Sequence, residues 1–146
     1  NAIAGLWRTQ VMWALLGIGG AFVVSRTSVR LLEFATAPLY VFSVMLLVIL
    51  LFFGSGAGTA ASTNSWLTVG GVRLGQPAEL AKIAVVLMLA QVLSAQRVAA
   101  TTLFGLWRPA LIVGVPWLLI MAQPDLGTGL AFIGVFFAML YWSGVA

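Results

Sequence analysis

The sequence GQPAELAK, residues 75–82, places Glu79 and Lys82 three positions apart in a chain that is otherwise almost free of charge. A second polar stretch, QPDLGT at residues 123–128, adds Asp125. Together the two stretches hold the only lysine of the chain and two of its three acidic residues. Ionisable side chains next to hydrocarbon are costly and are rarely present without a partner or a task. We therefore expect the function of the chain to lie in these two stretches.

The composition around them indicates a membrane protein. Apolar residues make up 62% of the chain and charged residues 7%, whereas about a quarter of the residues of a soluble domain are charged. The sequence therefore predicts an all-α fold, a polytopic bundle of transmembrane helices. Cysteine and histidine are absent, which excludes disulfides, thiolate metal sites and imidazole chemistry. The net charge of +4 is spread over the loops and does not suggest nucleic acid.

Five segments are candidates to cross a bilayer, which takes roughly 20 apolar residues as a helix. They are residues 6–24, 37–53, 77–95, 109–122 and 127–145. We expect Pro38 in the first turn of the second span and Pro77 at the first position of the third, where the missing N–H costs nothing. The chain starts at Asn1 and ends directly after an apolar stretch, so we interpret residues 1–146 as one partial membrane domain of a longer protein.

Arginines in the loops predict the orientation. If the five spans alternate, four arginines share one side and two share the other, and the richer side is cytoplasmic by the positive-inside rule. The cytoplasmic set is Arg26, Arg30, Arg97 and Arg108, and the outer set is Arg8 and Arg73. The 54–76 loop is then outside, with a flexible linker at residues 54–59 and an interfacial segment at residues 66–74. Both polar stretches lie at the outer face.

Glu79 and Lys82 permit two interpretations. They lie on one helix face, so they can form an intrahelical ion pair that keeps both charges tolerable near lipid. They can also form a site with one anion and one cation that faces a polar cavity inside the bundle. The two interpretations are compatible, because a pair that orients Lys82 also presents it.

Asp125 is open to two interpretations as well. It can cap the fifth span, its carboxylate accepting bonds from unpaired backbone N–H groups. Alternatively, it belongs to irregular backbone around a watery cavity, because the fourth span is short and Pro116 should bend or interrupt it. Gly127 and Gly129 would allow another helix to approach closely. These residues alone do not decide between a transporter, a channel and an enzyme.

The same residues resemble the SEDS family of shape, elongation, division and sporulation proteins, which comprises RodA, FtsW and SpoVE. The resemblance rests on WLTVGGVRLGQPAELAKI at residues 66–83 and AQPDLGT at residues 122–128. The ending MLYWSG, residues 139–144, slightly favours RodA. The chain departs from the family pattern at Gly75 and Ala78, where the family has Phe and Ser, and at Ser65, where it often has Arg.

The resemblance implies a peptidoglycan glycosyltransferase that polymerises lipid II at the outer face of the bacterial cytoplasmic membrane, with a class B penicillin-binding protein as partner. It assigns supporting catalytic roles to Lys82, Glu79 and Asp125, and we add Arg73, Gln76 and Gln123 as substrate-binding candidates. It places the catalytic aspartate in an outer loop beyond residue 146, so we expect the isolated segment to be inactive. A divalent ion, Mg²⁺ or Mn²⁺, would assist the leaving pyrophosphate. The alternatives are a lipid II flippase without enzymatic activity, or a scaffold for the partner.

The orientation is testable by cysteine labelling in intact cells. Cysteines placed at Ser28 and Thr101 of the full-length protein should resist an impermeant thiol reagent, because the arginine bias puts both loops in the cytoplasm. A cysteine at Thr63 should react and serves as the positive control. Labelling at Ser28 would overturn the predicted topology.

Overall fold

A computed structural model describes residues 2–53, 67–69, 72–95 and 103–144, and these form five α-helices and one short hairpin. The elements are α1 (Ala2–Arg26), α2 (Val29–Phe53), β1 (Leu67–Val69), β2 (Val72–Gly75), α3 (Pro77–Ala95), α4 (Trp107–Ala122) and α5 (Leu126–Trp142), with a 3-10 turn at Leu103–Leu106. The helices confirm the all-α prediction. The chain divides into two units, Asn1–Phe34 and Ala35–Ala146. Arg97 and the predicted linker at residues 54–59 lie outside the described residues.

In the first unit, Ser28 determines where α2 begins. Its hydroxyl accepts a hydrogen bond from the Leu31 N–H at 3.4 Å, and its carbonyl accepts from the Leu32 N–H at 3.2 Å. Serine at this position satisfies N–H groups that a helix start leaves unpaired. Because α2 therefore starts eight residues earlier than predicted, Pro38 lies inside the helix rather than in its first turn.

In the second unit, α3 packs on α4 and α5 through a face of small side chains, and α4 packs on α5. Ala78 and Ala81 on this face are 1% and 0% exposed, and Ala84 beside them is also buried. Small residues let helix backbones approach closely, which is how membrane helices gain contact area. The core around them consists of Leu47, Val85, Leu89, Leu93, Val113, Ile120, Phe132 and Leu140.

Most of the large apolar side chains outside this core are exposed. On α5, the residues at helical spacing Leu126, Leu130, Ile133 and Phe137 form one exposed stripe. A helix that is apolar on its buried and its exposed faces suits a lipid environment. By length and composition, α2 and α3 are each able to cross a membrane, and α4 and α5 are shorter apolar helices.

The interruption expected at Pro116 is wrong, because α4 runs unbroken through it from Trp107 to Ala122, and the alternative of a bend there stays a prediction. The helix starts at Trp107, before the predicted start at residue 109, and the 3-10 turn at Leu103–Leu106 leads directly into it. Turn and helix together measure about 30 Å, which is enough to cross the hydrocarbon core. The carbonyl of Ile112, which Pro116 cannot bond, accepts a hydrogen bond from the Tyr40 hydroxyl at 2.9 Å.

The loop before α3 contains a two-stranded antiparallel hairpin that the sequence did not predict. Thr68 pairs with Arg73 and Val69 with Val72, and the register shifts between Leu67 and Thr68. The hairpin ends at Gly75, whose φ of +140° is a conformation that other residues rarely adopt. This departure from the family pattern therefore matches the local backbone, and the hairpin leads directly into the first polar stretch.

Gly129 is the close-contact glycine between α4 and α5, as the sequence predicts. It is buried, and a Cβ atom added there would collide with the end of the Met121 side chain and come within 3.5 Å of Trp117 Nε1. Gly127 does not share this role, because a Cβ there would meet only Asp125 Oδ1, at 3.9 Å. A Cβ at Gly129 therefore requires the flexible end of Met121 to move, and a larger side chain would also press on Trp117.

We expect Gly129→Leu to destabilise the full-length protein by about 1–3 kcal/mol, because the added side chain overpacks the interface between α4 and α5. The measurement is the apparent melting temperature in detergent. Gly134→Leu is the matched control on the same helix, since a Cβ at Gly134 meets nothing within 4 Å. Equal melting temperatures for the two variants would contradict the assignment.

Candidate functional site

The first polar stretch forms the start of α3. Pro77 is the first residue of the helix and is buried, and the Glu79 N–H bonds the Gln76 carbonyl at 3.0 Å. Glu79 thus falls in the first turn, where the positive end of the helix dipole stabilises a carboxylate. The predicted bounds of this helix, residues 77–95, coincide with those observed.

Lys82 and Glu79 form an ion pair within this turn. Lys82 Nζ lies 2.8 Å from Glu79 Oε1, as expected for oppositely charged residues three positions apart on a helix. The Lys82 side chain is 29% exposed and the Glu79 side chain 62% exposed. The structure thus agrees with the ion-pair interpretation.

The expectation that this pair points into the helix bundle is not met among the described residues. The face of α3 that packs on α4 and α5 is made of Ala78, Ala81 and Val85, and the two charges lie beside Ile83, which is 58% exposed. Lys82 and Ile83, with Val86 and Leu87, line an open apolar groove of about 260 Å³. The physical reason is the alanine face, which packs more closely than a face with long charged side chains would. The Lys82 side chain therefore borders an apolar groove.

Asp125 caps α5, and this confirms the first of its two interpretations. Oδ1 accepts from the Thr128 N–H at 3.1 Å, and Oδ2 accepts from the Thr128 hydroxyl at 2.9 Å. A carboxylate at this position satisfies unpaired N–H groups of the helix start and interacts favourably with its dipole. Thr128 was part of the quoted motif, but its role as the donor to Asp125 was not predicted.

A hydrogen bond joins the two polar stretches, although they are far apart in the sequence. Gln76 Nε2 donates to Asp125 Oδ2 at 3.0 Å, across 49 residues. This bond ties the residue just before α3 to the cap of α5. Gln76 also lies three positions before Glu79, so the ion pair and the capping carboxylate belong to the same end of the helices. The sequence placed both stretches on one side of the membrane without predicting the contact.

Gln123 is buried and bonded within the protein, and its predicted role in substrate binding stays a prediction. It is 1% exposed, and its Nε2 donates to the Leu47 carbonyl at 3.1 Å. A buried amide that is bonded in this way cannot reach a ligand without breaking the contact between α2 and the end of α4. Arg73 lies in β2, and only its backbone is described, so its predicted role in binding stays a prediction.

The described residues do not supply a ligand set for the predicted divalent ion. Within the ranges given above, no three acidic, histidine or cysteine side chains lie close enough to hold a metal. The two polar stretches offer instead one cation, Lys82, which is bonded to the Glu79 carboxylate, and a second carboxylate, Asp125, which caps α5. Such a cation can bind or stabilise an anionic group.

Comparison with known proteins matches the whole chain, residues 1–146, to the family of cell cycle proteins that includes FtsW, RodA and SpoVE. The chain is 33% identical over 137 residues to the probable peptidoglycan glycosyltransferase FtsW of Mycobacterium tuberculosis, a match that covers 93% of this chain and 26% of that protein. It therefore spans about a quarter of the length of that relative.

Solved structures show the same fold. The crystal structure of the rod shape determining protein RodA of Thermus thermophilus matches with a TM-score of 0.77 at 30% identity, over 90% of this chain and 42% of RodA. A peptidoglycan synthase complex that coordinates polymerisation and cross-linking matches with a TM-score of 0.73 at 31% identity, over 90% of this chain and 37% of that one. FtsW and RodA are thus matched at similar identity, so the slight preference for RodA is not decided.

Asp125→Ala should lower the stability of the full-length protein by about 2 kcal/mol, because it removes both the cap of α5 and the bond to Gln76. Asp125→Asn should cost less, since an amide oxygen still accepts from the Thr128 N–H. Denaturant unfolding in detergent measures both effects. Equal losses for the two variants would show that the charge of Asp125, rather than its cap, is what matters.

Proposed function

This chain belongs to the FtsW, RodA and SpoVE family of cell cycle proteins, and on that premise we propose that it forms part of a membrane glycosyltransferase that polymerises lipid II into glycan strands. The reaction takes place at the outer face of the bacterial cytoplasmic membrane and serves cell-wall synthesis. The observation that carries the proposal is the Gln76–Asp125 bond, which brings the two family motifs together beside the Lys82–Glu79 ion pair.

Lys82 has the position and chemistry to stabilise the leaving group. Lipid II carries a pyrophosphate between its sugar and its long apolar chain, so its recognition needs a cation next to an apolar surface. Lys82 provides both, since its side chain is partly exposed and lines the groove with Ile83, Val86 and Leu87. A preorganised cation that meets charge developing in the transition state accelerates such a reaction. Glu79 holds the ammonium group in place.

The proposed reaction is a direct glycosyl transfer in which no covalent bond to the protein forms. The acceptor 4-hydroxyl attacks the anomeric carbon of the donor, a new glycosidic bond forms, and the bond from that carbon to the lipid pyrophosphate breaks. A general base outside residues 1–146, an aspartate by resemblance to the family, takes the hydroxyl proton. Asp125 contributes by fixing the start of α5 against Gln76.

Two further assignments belong to this proposal. A class B penicillin-binding protein would be the partner that cross-links the strands, and the matched synthase complex, which couples polymerisation with cross-linking, supports this choice. The protein would be a multi-pass protein of the inner membrane, which its apolar helices support. The divalent ion remains a prediction, and no step of the reaction is derived through it.

Lys82→Ala in the purified full-length protein should reduce polymerisation of lipid II by about 100-fold or more, because it removes the cation that faces the leaving pyrophosphate. The assay contains no other synthase and reads glycan chains on a gel. Lys82→Arg tests whether a compact ammonium is required, since guanidinium differs in shape and hydration.

Glu79→Gln should also reduce polymerisation, because it frees Lys82 from its partner. Glu33→Gln is the matched control, since it neutralises an exposed acid on the predicted cytoplasmic side. Near-normal polymerisation by Lys82→Ala would reduce the pair to a structural ion bridge. A wild-type protein that moves lipid II across vesicle membranes without forming polymer would favour the flippase instead.

A further inference from the structure

Tyr40 donates the hydrogen bond that Pro116 cannot donate. A residue with an N–H at position 116 would bond the carbonyl of Ile112, four positions earlier, and proline has no N–H. No water is at hand in hydrocarbon to replace such a bond, so an unpaired carbonyl there is costly. Tyr40, which is 72 positions from Ile112 in the chain, donates its hydroxyl to this carbonyl at 2.9 Å.

A second bond joins α2 to the residue that ends α4. Gln123 donates to the Leu47 carbonyl, 76 positions away. The order of the bonded residues is the same on both helices, so α2 and α4 run parallel. Tyr40 and Leu47 are two turns apart on α2, a rise of about 10 Å. Bonds at two heights restrict both sliding and rotation of α4 against α2, whereas either bond alone would act as a pivot.

The end of α4 carries the second polar stretch. Gln123 ends the helix, and only Pro124 separates it from Asp125. Asp125 in turn bonds Gln76 and caps α5. A shift of α4 relative to α2 therefore moves the carboxylate that holds the start of α3, where Glu79 and Lys82 lie.

We propose that Tyr40 is a positioning residue for glycan polymerisation, acting through α4 on the contact between Gln76 and Asp125. The inference rests on the proposed function, but the mechanical part stands on the hydrogen bonds alone. The Tyr40 hydroxyl bonds the Ile112 carbonyl, which lies in neither motif. Its hydroxyl sets the height of α4, and α4 sets the position of the Asp125 turn.

The experiment uses the full-length protein with Tyr40→Phe, which keeps the ring and removes only the hydroxyl. Backbone amide hydrogen exchange in residues 120–128 should rise about tenfold, as the loss of one hydrogen bond predicts. For polymerisation of lipid II, kcat should fall about five- to tenfold and KM should change by less than about twofold. Pro116→Ala, added to Tyr40→Phe, restores an N–H for the Ile112 carbonyl and should return both values close to wild type.

Tyr141→Phe is the matched control, because Tyr141 is the other tyrosine of the chain and is 80% exposed at the end of α5. Unchanged exchange in Tyr40→Phe, or a failure of Pro116→Ala to reverse the change, overturns the proposal. If Tyr40→Phe does not accumulate in membranes, recovery of its level by Pro116→Ala supports the proposal and no recovery overturns it. Absence of polymerisation by the wild type would refute the proposed function, and the exchange measurement would still decide the role of Tyr40.

Discussion

Backbone groups inside the hydrocarbon must find their hydrogen-bond partners within the protein, and much of this structure follows from that constraint. Pro116 leaves the carbonyl of Ile112 without its helical partner, and Tyr40 takes the place of that partner. The start of α5 leaves N–H groups unpaired, and Asp125 accepts from one of them. The polar side chains of Tyr40, Gln123 and Asp125 are thus engaged with backbone, and those of Tyr40 and Gln123 tie α2 to α4 in doing so.

The charged residues divide into two kinds once these bonds are known. Asp125 accepts from Gln76 and twice from Thr128, so its carboxylate holds the ends of two helices together. Glu79 and Lys82 bond each other and lie on the face of α3 that does not pack on α4 or α5. Asp125 therefore holds the parts of the site in place, whereas Glu79 and Lys82 are its charged groups. Gln76 connects them, because it precedes the ion pair and bonds Asp125.

Local signals in the sequence were enough to predict the features that depend on neighbouring residues. Pro77 marked the start of α3, and the spacing of Glu79 and Lys82 predicted their ion pair. The contacts of Tyr40 and Gln123 could not be predicted in this way, because each joins residues more than 70 positions apart. The packing face of α3 could not be predicted either, because α3 is largely apolar on all sides. Its sequence pattern does not distinguish a face in the protein core from a face in contact with lipid. The donor that bonds the Ile112 carbonyl, one turn before Pro116, likewise lies in another helix.

The ion pair of Glu79 and Lys82 has an electrical consequence. Moving one elementary charge across a membrane potential of 100 mV requires about 2.3 kcal/mol of work. Because the two opposite charges lie in one turn of the same helix, 2.8 Å apart, a movement of α3 along the membrane normal transfers almost no net charge. A rearrangement of this helix during a catalytic cycle would therefore be nearly independent of voltage, and the energised state of the cell would neither drive it nor oppose it.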